Sequence, residues 1–318
     1  MSDPTTAMSG AALTEHAGAF VTAPEGDDKQ KPRGLFGDAW RELRRRPLFW
    51  ISATLILVVL VMAAFPQLFT SADPNLGDLS RQRQPPSAQA WFGYDNQGYD
   101  IYARVINGAR ASIVVGFLAT LGVVVLGGVL GILAGFYGGW LDAICSRIAD
   151  VFFGLPFVLG AIVILTTLNA SGDASEAQIV SVVVISIAVL AWPVAMRIMR
   201  SAAITAKQQD YVKAARALGA SGWRIITRHL LPNCLAPVLV YATIALGAFI
   251  GVEATLSYLG IGLRAPVVSW GVMINDARNY IRAAPHLLLF PAGFLTITVL
   301  AFVMLGDAVR EALDPKAR

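Results

Sequence analysis

The stretch Ala111-Ser-Ile-Val-Val-Gly-Phe-Leu-Ala-Thr-Leu-Gly-Val-Val-Val-Leu-Gly-Gly-Val-Leu-Gly-Ile-Leu-Ala-Gly-Phe136 runs for 26 residues without a formal charge. A helix needs about 20 apolar residues to cross the hydrocarbon core of a bilayer, so this segment is long enough to span one. It carries Gly116, Gly122, Gly127, Gly128, Gly131 and Gly135. Glycines three or four apart let neighbouring helix backbones approach closely, which predicts a helix buried in a bundle. A flexible hinge is the competing reading.

Five more apolar segments surround it, at 48–69, 144–168 with Pro156, 177–199 with Pro193, 235–258 and 286–306. The whole chain of 318 residues is 56% hydrophobic and 14% charged, with a mean hydropathy of +0.60. Soluble domains carry about 25% charged residues, so too few charges are present to cover a water-facing surface. A soluble enzyme and a disordered chain are thereby excluded. The net charge of +4 gives no concentrated basic face for nucleic acid. The expected fold is all-α and integral to the membrane, with six transmembrane helices.

Residues 1–33 lack apolar periodicity and read as a disordered tail; without an apolar h-region and cleavage site they do not read as a signal peptide. In 34–47, Leu35, Phe36, Trp40 and Leu43 alternate with Arg41, Arg44, Arg45 and Arg46, as in a short helix at the membrane surface. With six spans and a cytosolic N-terminus, 18 Lys and Arg fall inside and 7 outside. The positive-inside rule then places both termini in the cytosol. The outside loop 70–110 is expected to be partly irregular. The domain reading is a cytosolic tail at 1–33, then the surface helix, first span and extracytoplasmic loop over 34–110. A five-helix core follows at 111–307, with a cytosolic loop at 201–233, and a cytosolic tail at 308–318.

That cytosolic loop contains Asp210-Tyr-Val-Lys-Ala-Ala-Arg-Ala-Leu-Gly219-Ala-Ser-Gly-Trp-Arg-Ile-Ile-Thr-Arg-His-Leu-Leu-Pro232. Tyr211, Ala214, Ala215 and Leu218 fall at helical spacing and make one apolar stripe. Gly219 stands where a helix stop needs a left-handed residue. Ser221 can cap a second short helix with Trp223, Ile226 and Leu230 on one side, and Pro232 limits its continuation into the next span. Two short helices bent at a glycine, with small alanines on the knuckle, suit a groove in a soluble partner. An amphipathic pair lying on lipid is the alternative.

This stretch resembles the EAA loop of binding-protein-dependent ABC importer permeases, a pattern of Glu-Ala-Ala, three residues, Gly, then Leu-Pro. The matching residues are Ala214, Ala215, Gly219, Leu231 and Pro232, with Pro232 thirteen after Gly219; Lys213 stands at the Glu position. Phe92-Gly-Tyr-Asp-Asn-Gln-Gly-Tyr-Asp-Ile-Tyr-Ala-Arg104 with Gly108-Ala-Arg-Ala-Ser112 is similar to a signature of peptide/nickel permeases, with Tyr94 and Tyr99 replacing the usual Thr and Arg. Glu253-Ala-Thr-Leu-Ser-Tyr-Leu-Gly-Ile-Gly262, Ser269-Trp-Gly271 and Leu305-Gly-Asp-Ala-Val-Arg-Glu-Ala-Leu-Asp-Pro315 resemble later runs of the same family. The resemblance implies a type I ABC importer (MetI-like) permease fold of the dipeptide/oligopeptide, DppC/OppC type, in the bacterial inner membrane. It further implies a homologous DppB/OppB-type permease, two DppD/DppF-type ATP-binding subunits and an extracytoplasmic substrate-binding protein as partners. Peptides are the implied cargo, with nickel chelates or haem-like molecules as alternatives, and the binding protein as the main selector. On this resemblance Tyr211, Ala214, Ala215, Leu218, Gly219, Trp223 and Pro232 form the ATPase-coupling loop.

Other polar residues are few. Glu253 falls inside the outer end of the fifth span, where an ionisable residue is costly and often functional. Together with Ser257, Gly260 and Gly262 it is a candidate outer gate, the alternative being a carboxylate held by neighbouring groups. Arg147 and Asp150 can pair along one helix face, Asp142 reads as a loop residue, and Arg197 and Arg200 are expected to snorkel to phosphates. Trp91, Trp140, Trp192, Trp223 and Trp270 are expected at the interfaces. Cys145 and Cys234, far apart and without ligand-spaced partners, read as buried thiols. No P-loop, metalloprotease or nucleophile-elbow motif occurs, so neither catalysis nor a bound cofactor is expected of the chain itself, and ATP would be bound by the partner subunits. A secondary transporter is the alternative from another class, but such proteins tend to show internal repeats and midplane charges. A scaffolding membrane protein would leave the spacing of the helix pair unexplained.

Overall fold

A computed structural model describes residues 40–168 and 174–313. The disorder expected over 1–33 lies outside the described residues, as do residues 34–39 of the expected surface helix. Its described part is one helical turn at 40–43, where the Trp40 ring meets Phe49 edge-on at 5.8 Å. The described chain is helical: α1 Pro47–Ala64, α2 Ile101–Tyr137, α3 Gly139–Gly154, α4 Phe157–Leu168, α5 Glu176–Ala206, α6 Asp210–Ala217, α7 Gly222–Ile225, α8 Leu231–Tyr258, α9 Trp270–Ala277 and α10 His286–Leu313. Four of these, α1, α2, α5 and α10, are long and apolar enough to cross a membrane, and α7 runs on into α8 to make a fifth. The pair α3 and α4 makes a sixth if taken together.

That pair corrects the expectation of one continuous span over 144–168. The two helices meet at 94°. Leu155 is extended, with φ −83° and ψ 125°, because the ring of Pro156 disfavours a helical residue before it and supplies no N–H. The second span also starts earlier than the apolar run suggested. Asp100 caps α2 by accepting from the Ala103 N–H at 3.1 Å. The added turns bury Ile101, Ala103, Val105 and Ala109 completely, which confines the long connection to about 65–100. Likewise α10 continues past 307 to Leu313.

The most extensive helix–helix packing among the described residues is between α2 and α5, and its cause is the glycine spacing. A methyl added at Gly127 would lie 2.5 Å from the Trp192 carbonyl oxygen, one at Gly131 2.5 Å from the Met196 oxygen, and one at Gly135 2.8 Å from the Arg200 oxygen. Backbone touches backbone along this strip, so the glycines serve close packing and not a hinge. A similar approach joins α8 to α10, where a methyl at Gly247 would meet Phe302 Cβ at 2.8 Å. Ile56, Val59 and Met62 of α1 join the core cluster that includes Ala301 and Phe302 of α10. Val125, Val129, Val151, Val163, Ile297 and Leu300 remain exposed, the outward apolar surface required of a helix bundle in lipid.

Two arginine expectations are corrected by the way α3 runs beside α5. Asp142, expected in a loop, lies in the first turn of α3 and makes a two-point ion pair with Arg200 of α5, with Nη2 donating to Oδ2 at 2.6 Å. Arg197 donates to Asp150 at 2.7 Å, while Arg147 stands 3.9 Å from the same carboxylate. The arginines therefore tie two helices together. Trp192 and Trp270 are also inside the bundle, at 4% and 0% exposure. Each has found a partner, the Phe152 ring at 5.6 Å and the Val105 carbonyl at 2.9 Å respectively.

Candidate functional site

At the end of the bundle where α2 and α5 finish, the chain folds into a short projecting turn. Lys207 follows α5 and donates to the Gly135 carbonyl at 2.7 Å. This places a cation at the negative end of α2, a favourable arrangement. Next, α6 packs inward through Val212, which is 1% exposed. Val212 joins a cluster with Ile132, Met199, Ile225, Ile226 and Leu230.

The stripe read from the sequence is the outer face of this turn. Tyr211, Ala214 and Leu218 are exposed, Leu218 at 88%, and only Ala215 is partly covered. The residue that anchors α6, Val212, was missed because it is a single apolar position on an eight-residue helix. Gly219 has φ +80° and its N–H reaches the Arg216 carbonyl at 3.0 Å. A Cβ there would meet nothing within 4 Å, so backbone conformation and not crowding calls for glycine. Lys213 is paired with Asp210 at 2.9 Å.

Ser221 caps α7, accepting from the Arg224 N–H at 3.4 Å. Trp223 was expected on the side of Ile226 and Leu230, yet it is 68% exposed while those two are buried. Nor does Pro232 interrupt the chain. A π turn at Ile226–Leu230 adds a residue to the ring and carries α7 directly into α8. Pro232 directly follows this π turn, whose wider hydrogen-bonded ring is a usual accompaniment of a proline's missing N–H within a helix. The projecting turn is therefore continuous with a membrane-crossing helix.

The opposite end holds a second cluster. Glu253 of α8 is completely buried. Its Oε1 accepts from Ser257 Oγ at 2.7 Å and from Ser269 Oγ at 3.1 Å, whereas Oε2 is buried with no hydrogen-bond partner among the described residues. Ser257 also accepts from the Leu263 N–H at 2.9 Å, and Ser269 caps α9 by accepting from Val272. Ser112 of α2 accepts from the Trp270 N–H at 3.3 Å. Gly260 has φ +80° and ends α8, with the N–H groups of Ile261 and Gly262 turned back to the Leu256 carbonyl. Methyls at Gly262 and Gly271 would lie 2.5 Å from the Ser257 nitrogen and 2.7 Å from the Ala254 Cα.

Glu253, Ser257 and Gly262 are thus brought together and buried against α2 and α9, whereas Gly260 stands exposed at the end of α8. Ser112, Ser269 and Gly271 complete this cluster, and no local sequence signal joins positions so far apart. Among the described residues no three His, Cys, Asp or Glu side chains converge as a metal site.

Residues 127–318 match the family model of the binding-protein-dependent transport system inner membrane component, and residues 34–86 match the N-terminal TM domain of oligopeptide transport permease C. The chain is 37% identical to the dipeptide transport system permease protein DppC of Alkalihalophilus pseudofirmus, over 96% of this chain and 99% of that one. It is 36% identical to the glutathione transport system permease protein GsiD of Pectobacterium atrosepticum, over 94% and 97%. Among solved structures, the inward-facing MetNI methionine ABC transporter superposes with a TM-score of 0.51 at 20% identity, covering 66% of this chain and 96% of the matched one; that likeness shows the fold. A bundle of up to six spans, matched across its length to such permeases, places the chain in the family of binding-protein-dependent transport system inner membrane components, the membrane-spanning permeases of ABC importers.

Proposed function

We propose that this permease forms half of the translocation pathway of an importer for short peptides, with a DppB/OppB-type permease supplying the other half. Two DppD/DppF-type subunits bind and hydrolyse ATP and dock on the loop at 210–232. An extracytoplasmic binding protein delivers the peptide to the end that holds Glu253. Both termini face the cytosol, as the excess of Lys and Arg on that side supports. The observation that carries the coupling role is the exposed, glycine-bent turn running without interruption into α8. A push on Leu218 and Trp223 is passed to a membrane-crossing helix along hydrogen-bonded backbone. A conformational change follows ATP binding only if the ATPases contact the two states differently, and this turn supplies such contacts. Around Glu253, Ser257, Gly260 and Gly262 the outer ends of α8 and α9 act as the outer gate, which the enclosed carboxylate holds shut. The substrate class rests on the dipeptide and glutathione permeases among the relatives, and both are short peptides.

A direct test uses Leu218→Cys in the assembled transporter. The native Cys145 and Cys234 are buried and give little background. A short thiol crosslinker is expected to join position 218 to an ATP-binding subunit, with a yield that changes when ATP is bound. Failure to crosslink in every nucleotide state would remove the docking role.

A further inference from the structure

Beside the projecting turn, α5 and the start of α8 diverge to leave a groove of about 640 Å³. From α5 it is lined by Arg197, Ser201 and Thr205 with three apolar side chains between them, and from α8 by Asn233 and Pro237. Residues 197, 201 and 205 recur every four positions, so they occupy one face of α5. All three are exposed. Through the middle of that helix the exposed residues, Ile185 and Val194, are apolar, so a face bearing a guanidinium and two hydroxyls is out of place against lipid.

Backbone chemistry points the same way. Pro237 has no N–H to return to the Asn233 carbonyl four residues earlier. A carbonyl freed in this way at membrane depth is tolerated where it is buried in protein or lines water. Here both Asn233 and Pro237 line an open groove. The Asn233 side chain donates to the His229 carbonyl at 2.7 Å, and Thr205 donates to the Ser201 carbonyl at 3.1 Å. The charge of Arg197 is balanced by Asp150 from α3 at 2.7 Å, which lets it stand beside water without a net field.

We propose that this groove is a wall of the substrate passage, and that it takes a short zwitterionic peptide through its main chain. Ser201, Thr205 and the freed Asn233 carbonyl offer neutral hydrogen bonds to peptide amides and carbonyls. Arg197 meets the peptide's carboxylate while Asp150 keeps that contact weak enough to release. Such a wall recognises backbone and end groups, not side chains, and so lets peptides of differing sequence pass. The inference rests on the function proposed above and adds the residues and the chemistry of contact.

The test places Ser201→Cys and, separately, Thr205→Cys in the complete transporter reconstituted in vesicles. Two thiol reagents are compared from the cytosolic face, a charged methanethiosulfonate and a lipid-soluble maleimide, and uptake of dialanine and of glutathione is followed. The charged reagent is expected to label position 201 in the resting transporter and to label it several-fold more slowly when dialanine is present at high concentration. Labelling should lower uptake about ten-fold, because a bulky adduct in a fitted space is poorly accommodated, while ATP hydrolysis continues. Position 201 reacting with the maleimide alone would mean a lipid-facing groove. No reaction with either reagent would mean a surface covered by the partner permease. Normal uptake after full labelling would mean a groove off the route. Each of these overturns the proposal. If the unmodified transporter moves neither dialanine nor glutathione, the peptide reading falls separately, and charged-reagent access still decides whether the groove holds water.

Discussion

Glu253 is a carboxyl sealed between three helices with two hydroxyls donating to one of its oxygens. Burying an ionisable side chain is costly unless its hydrogen bonds are met, so this position is fixed by its neighbours and sensitive to change. Glu253→Gln keeps the size and an acceptor oxygen. The complex is expected to assemble and transport to fall, read as uptake per assembled transporter; undiminished uptake would deny the carboxylate any part in the gate. Close packing is equally local in cause. In Gly131→Val the new Cβ would press on the Met196 carbonyl oxygen at 2.5 Å. Backbone cannot swing aside as a side chain can, so a loss of about 1–3 kcal/mol or more is expected, measured as earlier thermal unfolding of the detergent-solubilised chain.

On the scale of elements, the unit that matters is α6, its glycine bend, α7, the π turn and α8 taken as one piece. Val212, Ile225, Ile226 and Leu230 hold it to the bundle, and Leu218 and Trp223 project from it. Gly219→Val forces a β-branched residue into a left-handed conformation, at a cost of roughly 1–2 kcal/mol, with open space around it. The bend is expected to shift while the bundle stays folded. ATP hydrolysis in the reconstituted transporter should then continue with uptake reduced. Uptake and hydrolysis remaining in step would count against the bend as the relay. The limits of these elements were only partly legible in the sequence. The core of each apolar run gave its span, but the start of α2 depended on the Asp100 cap and on packing around Ile101 and Val105, both of which bring polar-looking sequence into a buried helix. The break at Pro156 was visible as a proline, and its angle was not, since a bend is set by what each half packs against.

Across the whole molecule, the long connection at 65–100 is tied to the bundle by charge. Arg104 of α2 pairs with Asp95 at 2.8 Å, both nearly buried, and Asp95 also accepts from the N–H groups of Gln97 and Tyr99. Asp276 of α9 borders the same small space as Asp95. Burial pushes the Asp276 carboxyl above its ordinary range, with Arg104 drawing it down and Asp95 raising it further. Because the folded state holds that proton more firmly than the unfolded chain, this contribution to stability is fully present below the ordinary carboxylate pKa and is lost as pH rises through the raised value. Asp276→Asn removes the titration. It is expected to raise thermal stability at neutral pH relative to the parent and to flatten the parent's decline between mildly acidic and neutral pH. An unchanged pH profile would show that Asp276 does not carry the effect.

The sequence by itself determined that this chain lives in a membrane, because hydropathy and segment length are summed along the chain and need no knowledge of neighbours. It determined the turn at Gly219 too, since a helix stop and its cap are written within a few residues. It carried the family as well, through spacings that stay in register within one loop. Only the tertiary structure decided which face of α6 looks outward, that Trp192 and Trp270 are interior, and that Asp142, Asp150, Arg197 and Arg200 pair with one another. It alone gathered Ser112 and Ser269 around the Glu253 carboxyl and opened the groove between α5 and α8. Each of these depends on which helices are neighbours, and that choice is made by backbone approach at glycines and by side-chain fit between segments far apart in the chain.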